Sequence, residues 1–164
     1  MKNRRQARTR VMQALYAWEL SGSDTEEVIR TVLSSSDDGG APDAAVLAFA
    51  KSLFIRSLDH RDVADEIIDR HTLNWDIERI ALVDKIILRM AIAELMGFPD
   101  IPPKVTLNEA IEIAKLFSTG RSGKFVNGIL DAVLRELKQS DKLKKTGRGL
   151  IDIQASANTI NKDK

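Results

Sequence analysis

The residues best suited to chemistry in this chain are cations, and they sit at its start. Lys2, Arg4, Arg5, Arg8 and Arg10 fall within the first ten residues with no acid among them. Arginine stays charged, its planar fork pairs with phosphate oxygens two at a time, and its face stacks on bases, so a short Arg-rich helix suits RNA. A solubilising end is the plainer use, and a second basic group weighs against it. Lys104, Arg121 and Lys124 stand at the entrances of the last two helical segments, where unpaired N–H groups and the positive end of a dipole favour anions. Gly123 lets an anion approach the backbone closely; in the plainer use of the same turn, Gly120 ends one helix and Ser122 caps the next. Tyr16 and Met12 lie off the apolar stripe of the first segment, on the flank nearer Arg5, where an exposed ring could stack on a base.

Other chemistries do not find their residues. The Gly120–Lys124 stretch holds a Gly-Lys pair, but a P-loop needs Gly at 118 and Ser or Thr at 125, where this chain has Ser118 and Phe125. It also follows a helical pattern where a strand is required. Zero Cys and only two His, His60 and His71, argue against thiolate and typical zinc sites, and the lack of disulfides fits a reducing cytoplasm. The acids Asp59, Asp62, Asp65, Glu66 and Asp69 read as a hydrated helix face, since a calcium loop spaces its ligands along a turn. No acid–base pair stands out, so the expectation is a chain with no catalytic residue, cofactor or metal.

Positioning these cations falls to helices. From Ile80 to Met96 apolar residues appear on every side, interrupted only by Asp84, Lys85, Arg89 and Glu94, which predicts a central helix between Trp75 and Phe98 buried by its neighbours. It carries too many charges to span a membrane. Asp84 is odd there unless it meets solvent, a protein partner or an ion-pairing helix. A first helix runs from about Asn3 to Leu20, with Val11, Ala14, Leu15 and Trp18 as its stripe and Ser21-Gly22 as its end. Arg4, Arg5 and Arg8 extend beyond that stripe, so its first turns are expected to fray. Ser23 and Glu26 have capping-box spacing for a second helix carrying Val28, Ile29, Val32 and Leu33, followed by a polar linker from Ser34 to Gly40. A third starts near Asp43 with Val46, Leu47, Ala50, Leu53 and Phe54, and Asp59 caps a fourth with Val63, Ile67 and Ile68. After Pro99, a sixth begins between Pro103 and Thr106, the latter in capping-box spacing with Glu109, and buries Leu107, Ala110, Ile111, Ala114 and Phe117. The turn from Ser118 to Lys124 leads to a seventh through Phe125, Val126, Ile129, Leu130, Val133 and Leu137, in which Asn127-Gly128 suggests close packing on a neighbour.

Composition sets the frame around these elements. A chain of 164 residues suits one domain with a real core. The net charge of +1 hides an asymmetry, because the first ten residues carry +5 and the remainder −4. Val11 to Leu20 is interrupted by Gln13 and Glu19, so the start is not read as a signal peptide. The domain is expected over 1–138, with 139–164 a polar, disordered tail whose island of Leu150, Ile151 and Ile153 could instead dock on a partner or on the bundle.

Several ordered blocks together resemble the bacterial transcription antitermination factor NusB family. They are Arg4-Arg5-Gln6-Ala7-Arg8, Gln13-Ala14-Leu15-Tyr16-Ala17-Trp18, Leu88 to Leu95, Asn108 to Glu112, and Lys124-Phe125-Val126-Asn127-Gly128-Ile129-Leu130-Asp131, spanning about residues 3–138. The resemblance implies an all-α fold of about seven helices in two packed three-helix units. It further implies a cytoplasmic protein that binds the single-stranded boxA RNA of ribosomal RNA leaders jointly with ribosomal protein NusE, in the RNA polymerase antitermination complex. The RNA-binding residues it implies are Arg4, Arg5, Arg8, Tyr16, Lys104, Lys124 and Phe125, with Arg121 standing where some relatives have an acid. Asp84 matches the acidic partner-contact position, where charge reversal is expected to weaken NusE binding and leave the fold intact. Pro103 replaces an aromatic of some relatives, and the tail after Lys138 is longer than usual. A NusB-like domain also precedes the catalytic part of some ribosomal RNA methyltransferases, a role for which this chain shows no cofactor-binding domain. Some family members self-associate, which leaves a homodimeric scaffold as the other alternative.

Overall fold

The computed structural model describes residues 1–35, 40–73, 75 and 79–151. Within them the chain forms α1 (Arg4–Ser21), α2 (Thr25–Val28) continued by a π turn (Ile29–Leu33), α3 (Ala44–Asp59), α4 (Arg61–Thr72), α5 (Leu82–Gly97), α6 (Pro103–Phe117) and α7 (Gly120–Gln139), and no strand. The central helix is α5, which packs against α1 and α3 on one side and α4, α6 and α7 on the other. Its Ile86, Ile87, Leu88, Met90, Ile92 and Leu95 are each no more than 2 % exposed, as all-round apolarity requires.

Charges on a helix this deeply buried need partners. Glu94, 1 % exposed, accepts from the guanidinium of Arg8 on α1 at 2.7 and 2.9 Å and from the hydroxyl of Thr106 on α6 at 2.9 Å. Arg89 donates to Asp65 of α4 at 2.6 and 2.8 Å and to Glu19 of α1 at 3.4 Å. Asp84 accepts from the Ser122 hydroxyl of α7 at 3.0 Å. Three of the four interruptions of the apolar pattern, Asp84, Arg89 and Glu94, are thus points where α5 is tied to other helices.

The start of α1 is held, contrary to the expected fraying. Asn3 caps it by accepting from Gln6 N–H at 2.9 Å, Ala7 and Arg8 are buried, and the Met1 carbonyl accepts from Asp43 N–H at 3.1 Å. At the other end Gly22 closes the helix in the left-handed region, φ 63°, its N–H donating to Trp18. Asp43 caps α3 through Ala45 and Val46 N–H groups. Two other caps are corrected. Ser23 binds Ser21 instead, and Asp24 precedes α2 without a side-chain bond. Asp59 ends α3, and His60 joins it to α4. Of the two starts left open for α6, Pro103 is the one taken, so Thr106 lies inside the helix. Val63 is 41 % exposed because α5 packs along the Ala64, Ile67 and Ile68 line, and on α6 Ile113 is buried while Phe117 is not. Residues 36–39 of the expected linker lie outside the described residues.

The segment expected to be a disordered tail is, as far as residue 151, packed on the bundle. Leu143 joins the core, Lys145 donates to the Phe98 carbonyl at 2.8 Å, and Thr146 N–H donates to the Pro99 carbonyl at 2.9 Å. A 3-10 turn over Gly147–Leu150 then brings Gly149 so close to Pro99 that an added Cβ would collide with its carbonyl oxygen. Residues 152–164, with Ile153 of the apolar island, lie outside the described residues.

Two outcomes follow from these ties. Arg8→Ala strands the Glu94 carboxylate in the core and should cost about 3–5 kcal/mol in urea unfolding, whereas loss of an exposed ion pair would cost under about 1 kcal/mol. Burial pushes the Lys145 ammonium down to about 8, against the pull of Glu94 and Asp100. The unfolded chain therefore binds the extra proton between that value and the ordinary one near 10.5, so stability should rise as pH rises through this window. Lys145→Met should remove that rise from the urea midpoint.

Candidate nucleic-acid interface

The expected RNA-side residues divide into two groups at opposite ends of α6. Glu94, late in α5, bonds Arg8 and Thr106, whereas Asp84, early in α5, bonds Ser122. The two-residue turn Ser118–Thr119 sends α7 back along α6, so Lys104 and the pair Arg121 and Lys124 are separated by the length of α6. That is about 20 Å at 1.5 Å per residue. They are not one cluster, as their shared position at helix entrances suggested.

At the Glu94 end, Asn3, Arg4, Arg5 and Arg8 of the α1 start face Asp100, Ile101, Pro102, Val105 and Glu109 across an open groove of about 720 Å³, which Arg148 also lines. The cations there are unequal. Arg8 is 4 % exposed and spent on Glu94. Arg5 is exposed but paired with Glu109 at 2.9 and 3.0 Å. Arg4 lies over the Phe49 ring at 4.6 Å, which fixes its guanidinium and leaves its charge unmatched by any carboxylate among the described residues. Lys104 is exposed just beyond the groove. Tyr16, 37 % exposed, lies 11 residues after Arg5, three turns and about 17 Å along the same side of α1. Met12 is buried, so it adds nothing to that surface.

At the other end, Arg121 and Lys124 project from the first turns of α7, which Thr119 precedes. The helix begins inside the stretch expected to be a turn, and Ser122 is consequently one turn into it, buried and bound to Asp84. Asp84 is 6 % exposed, in the first turn of α5, with the start of α7 beside it. Two helix dipoles present positive ends to this carboxylate, which explains a buried acid without a cation. A lysine at 84 would meet the opposite field, so the expectation that charge reversal spares the fold is corrected. Phe125 is buried as well, edge to face with Trp75 at 5.1 Å. The ring exposed beside it is Trp75, 37 % exposed, which sequence reasoning did not single out. Its signal was Asn127-Gly128: a Cβ on Gly128 would stand 2.6 Å from the Trp75 ring.

The described residues thus form an all-helical body with a basic corner at each end of α6, and no group of acids, His or Cys able to hold a metal is found among them. No helix among the described residues is long and apolar enough to cross a membrane. Comparison with known sequences makes the class specific: the NusB family model matches residues 5–135, and the chain belongs to that family. A transcription antitermination protein NusB of Salinibacter ruber is 48% identical over 151 residues, covering 92% of both chains. T. maritima NusB shares the fold with a TM-score of 0.71 and 36% identity, over 83% of this chain and 94% of that one. A chain from the crystal structure of antitermination factors NusB and NusE in complex with dsRNA matches with a TM-score of 0.70 and 27% identity, over 81% of this chain and 96% of its own.

Gly128→Ala should expel Trp75 from α7. In a Trp18→Phe background, which leaves Trp75 as the only tryptophan, the emission maximum should move to the red, and an unmoved maximum would mean that the ring does not rest on Gly128.

Proposed function

We propose that this chain is a cytoplasmic, non-catalytic transcription antitermination factor. It binds the single-stranded boxA element of ribosomal RNA leaders jointly with ribosomal protein NusE, and so supports processive transcription by RNA polymerase. Membership of the NusB family supports this reading, as does the NusB–NusE–RNA complex among its structural relatives. The observation that carries it is the groove beside α1, where Arg4 and Arg5, held by Phe49 and Glu109, face solvent on the side of α1 that carries the exposed Tyr16 three turns further on.

Within this reading the residues take different parts. Arg4, Arg5, Lys104, Arg121 and Lys124 contact phosphates by charge, and Tyr16 stacks on a base. Arg8 and Phe125 act from inside: Arg8 fixes the α1 start against α5, and Phe125 seats Trp75. Asp84 serves the NusE face by holding the starts of α5 and α7 together through Ser122.

The test is a titration of boxA RNA, single-stranded and annealed into a duplex, against salt with and without NusE. Single-stranded binding should be the tighter, NusE should strengthen it, and log affinity should fall with log salt at about −0.7 per phosphate contact. Arg4→Ala with Arg5→Ala should flatten the slope by about 1.4, two contacts' worth. Glu109→Gln releases Arg5 and should raise affinity at low salt. A wild-type protein indifferent to RNA at low salt, with NusE present, would overturn the reading.

A further inference from the structure

Residues 142–151 form a strap folded back over the connection between α5 and α6, and the NusB family model, which ends at residue 135, does not include it. We propose that this strap is a wall of the RNA groove and that Arg148 is one of its phosphate contacts. The proposal rests on the RNA-binding reading above and extends it to a segment outside the matched family region.

Three observations carry it. First, the strap is seated by contacts to successive residues of the connection. Lys145 donates to Phe98, Thr146 N–H donates to Pro99, and Gly149 fits against Pro99 only because it lacks a Cβ. Gly147, at φ 52°, takes the left-handed turn that reverses the chain between these contacts, a conformation glycine adopts without strain. Second, the turn so formed points its one long cationic side chain at the groove: Arg148 is exposed and lines it together with Arg4 and Arg5. No acid among the described residues pairs with it.

Third, the charge balance of the groove depends on it. Arg8 is neutralised by Glu94 and Arg5 by Glu109. What remains in the lining is Arg4 and Arg148 against Asp100, and Asp100 also faces the Lys145 ammonium of the strap. Arg148 thus adds one unmatched cation to the field that Arg4 and the exposed Lys104 set at this end of the bundle. A guanidinium on an exposed turn also has the reach and the fork to take a phosphate oxygen pair.

The test compares full-length wild type with Arg148→Ala, Arg148→Lys, Gly149→Ala and Arg135→Ala. Arg135→Ala removes an equal charge from an exposed site on α7 outside the groove lining. Probes are a boxA oligoribonucleotide and a scrambled one of equal length. Arg148→Ala should reduce the salt slope by about 0.7 and weaken both RNAs roughly five- to tenfold near 50 mM salt, because a phosphate contact is blind to sequence. Gly149→Ala, which must lift the strap from Pro99, should reproduce that loss, while Arg148→Lys and Arg135→Ala should bind nearly as wild type. If Arg148→Ala matches wild type in affinity and slope while Arg4→Ala with Arg5→Ala weakens binding, the strap is no wall of the groove and the wider reading stands. Loss from Arg135→Ala as large as from Arg148→Ala overturns the proposal too, since net charge alone would then account for it. Absence of salt-dependent binding by wild type removes the wider reading itself.

Discussion

Everything at the basic end of this bundle depends on a carboxylate that cannot be left alone. Glu94 lies in the interior late in α5, where an unpaired charge would cost several kcal/mol. Arg8 comes to it from 86 residues earlier with a two-point bond, and Thr106 completes its acceptors from α6. That one bonding set sets where α1 begins relative to α5 and how α6 leaves the proline connection. Both walls of the groove beside α1 are therefore placed by a residue that never reaches solvent.

The same pairing changes what the basic start of the chain can do. Five cations in ten residues suggest a strong local field. Yet an ion pair at contact distance is a dipole a few ångströms away, and its field fades much faster than that of a lone charge. Arg8 with Glu94 and Arg5 with Glu109 are such pairs, so the field near the groove is set by the cations left over. Those pairs still matter to a ligand, because Arg5 at the surface can exchange a carboxylate for a phosphate, while Arg8 in the interior cannot. Burial thus sorts chemically identical arginines, three residues apart, into one that holds the fold and one that can meet RNA.

The helices were legible from periodicity: α7 buries the whole stripe that its apolar spacing marks, and α1, α3 and α5 bury most of theirs, with Trp18, Val46 and Leu47 among the residues packed half-buried at the edge of the core. The family blocks from Arg4 to Asp131 pointed to the same bundle. What escaped was the use of polar side chains. Thr106 and Glu109 have the spacing of a capping box, but Thr106 is drawn to Glu94 and Glu109 to Arg5, both on other helices. Ser122 has the type of a cap, and Asp84 takes its hydroxyl. A cap contributes roughly 1 kcal/mol, less than the penalty for an unsatisfied buried charge, so the long-range partner wins. Local spacing cannot reveal this, because the deciding residue lies 12 to 104 positions away. Glu94, Arg89 and Asp84 were visible as interruptions of an apolar helix, and that pattern alone says that partners must exist without saying which.

The strap after α7 escaped for a different reason, one rooted in the prolines it covers. Pro99, Pro102 and Pro103 have no N–H to donate, yet their segment still carries a carbonyl at every residue. A connection of this kind is rich in acceptors and short of donors: Ile101 N–H turns back to the Phe98 carbonyl at 3.3 Å, which leaves the Pro99 carbonyl without a donor inside the connection. Donors must come from elsewhere, and Thr146 N–H and the Lys145 ammonium supply them to Pro99 and Phe98. A segment recruited for its donors needs few apolar residues, and Leu143 is the one from it that joins the core. By composition such a segment is indistinguishable from a solvated tail. Its order is encoded in the residues it covers, 47 positions before Lys145, and in the glycine at 149 that lets the two backbones meet.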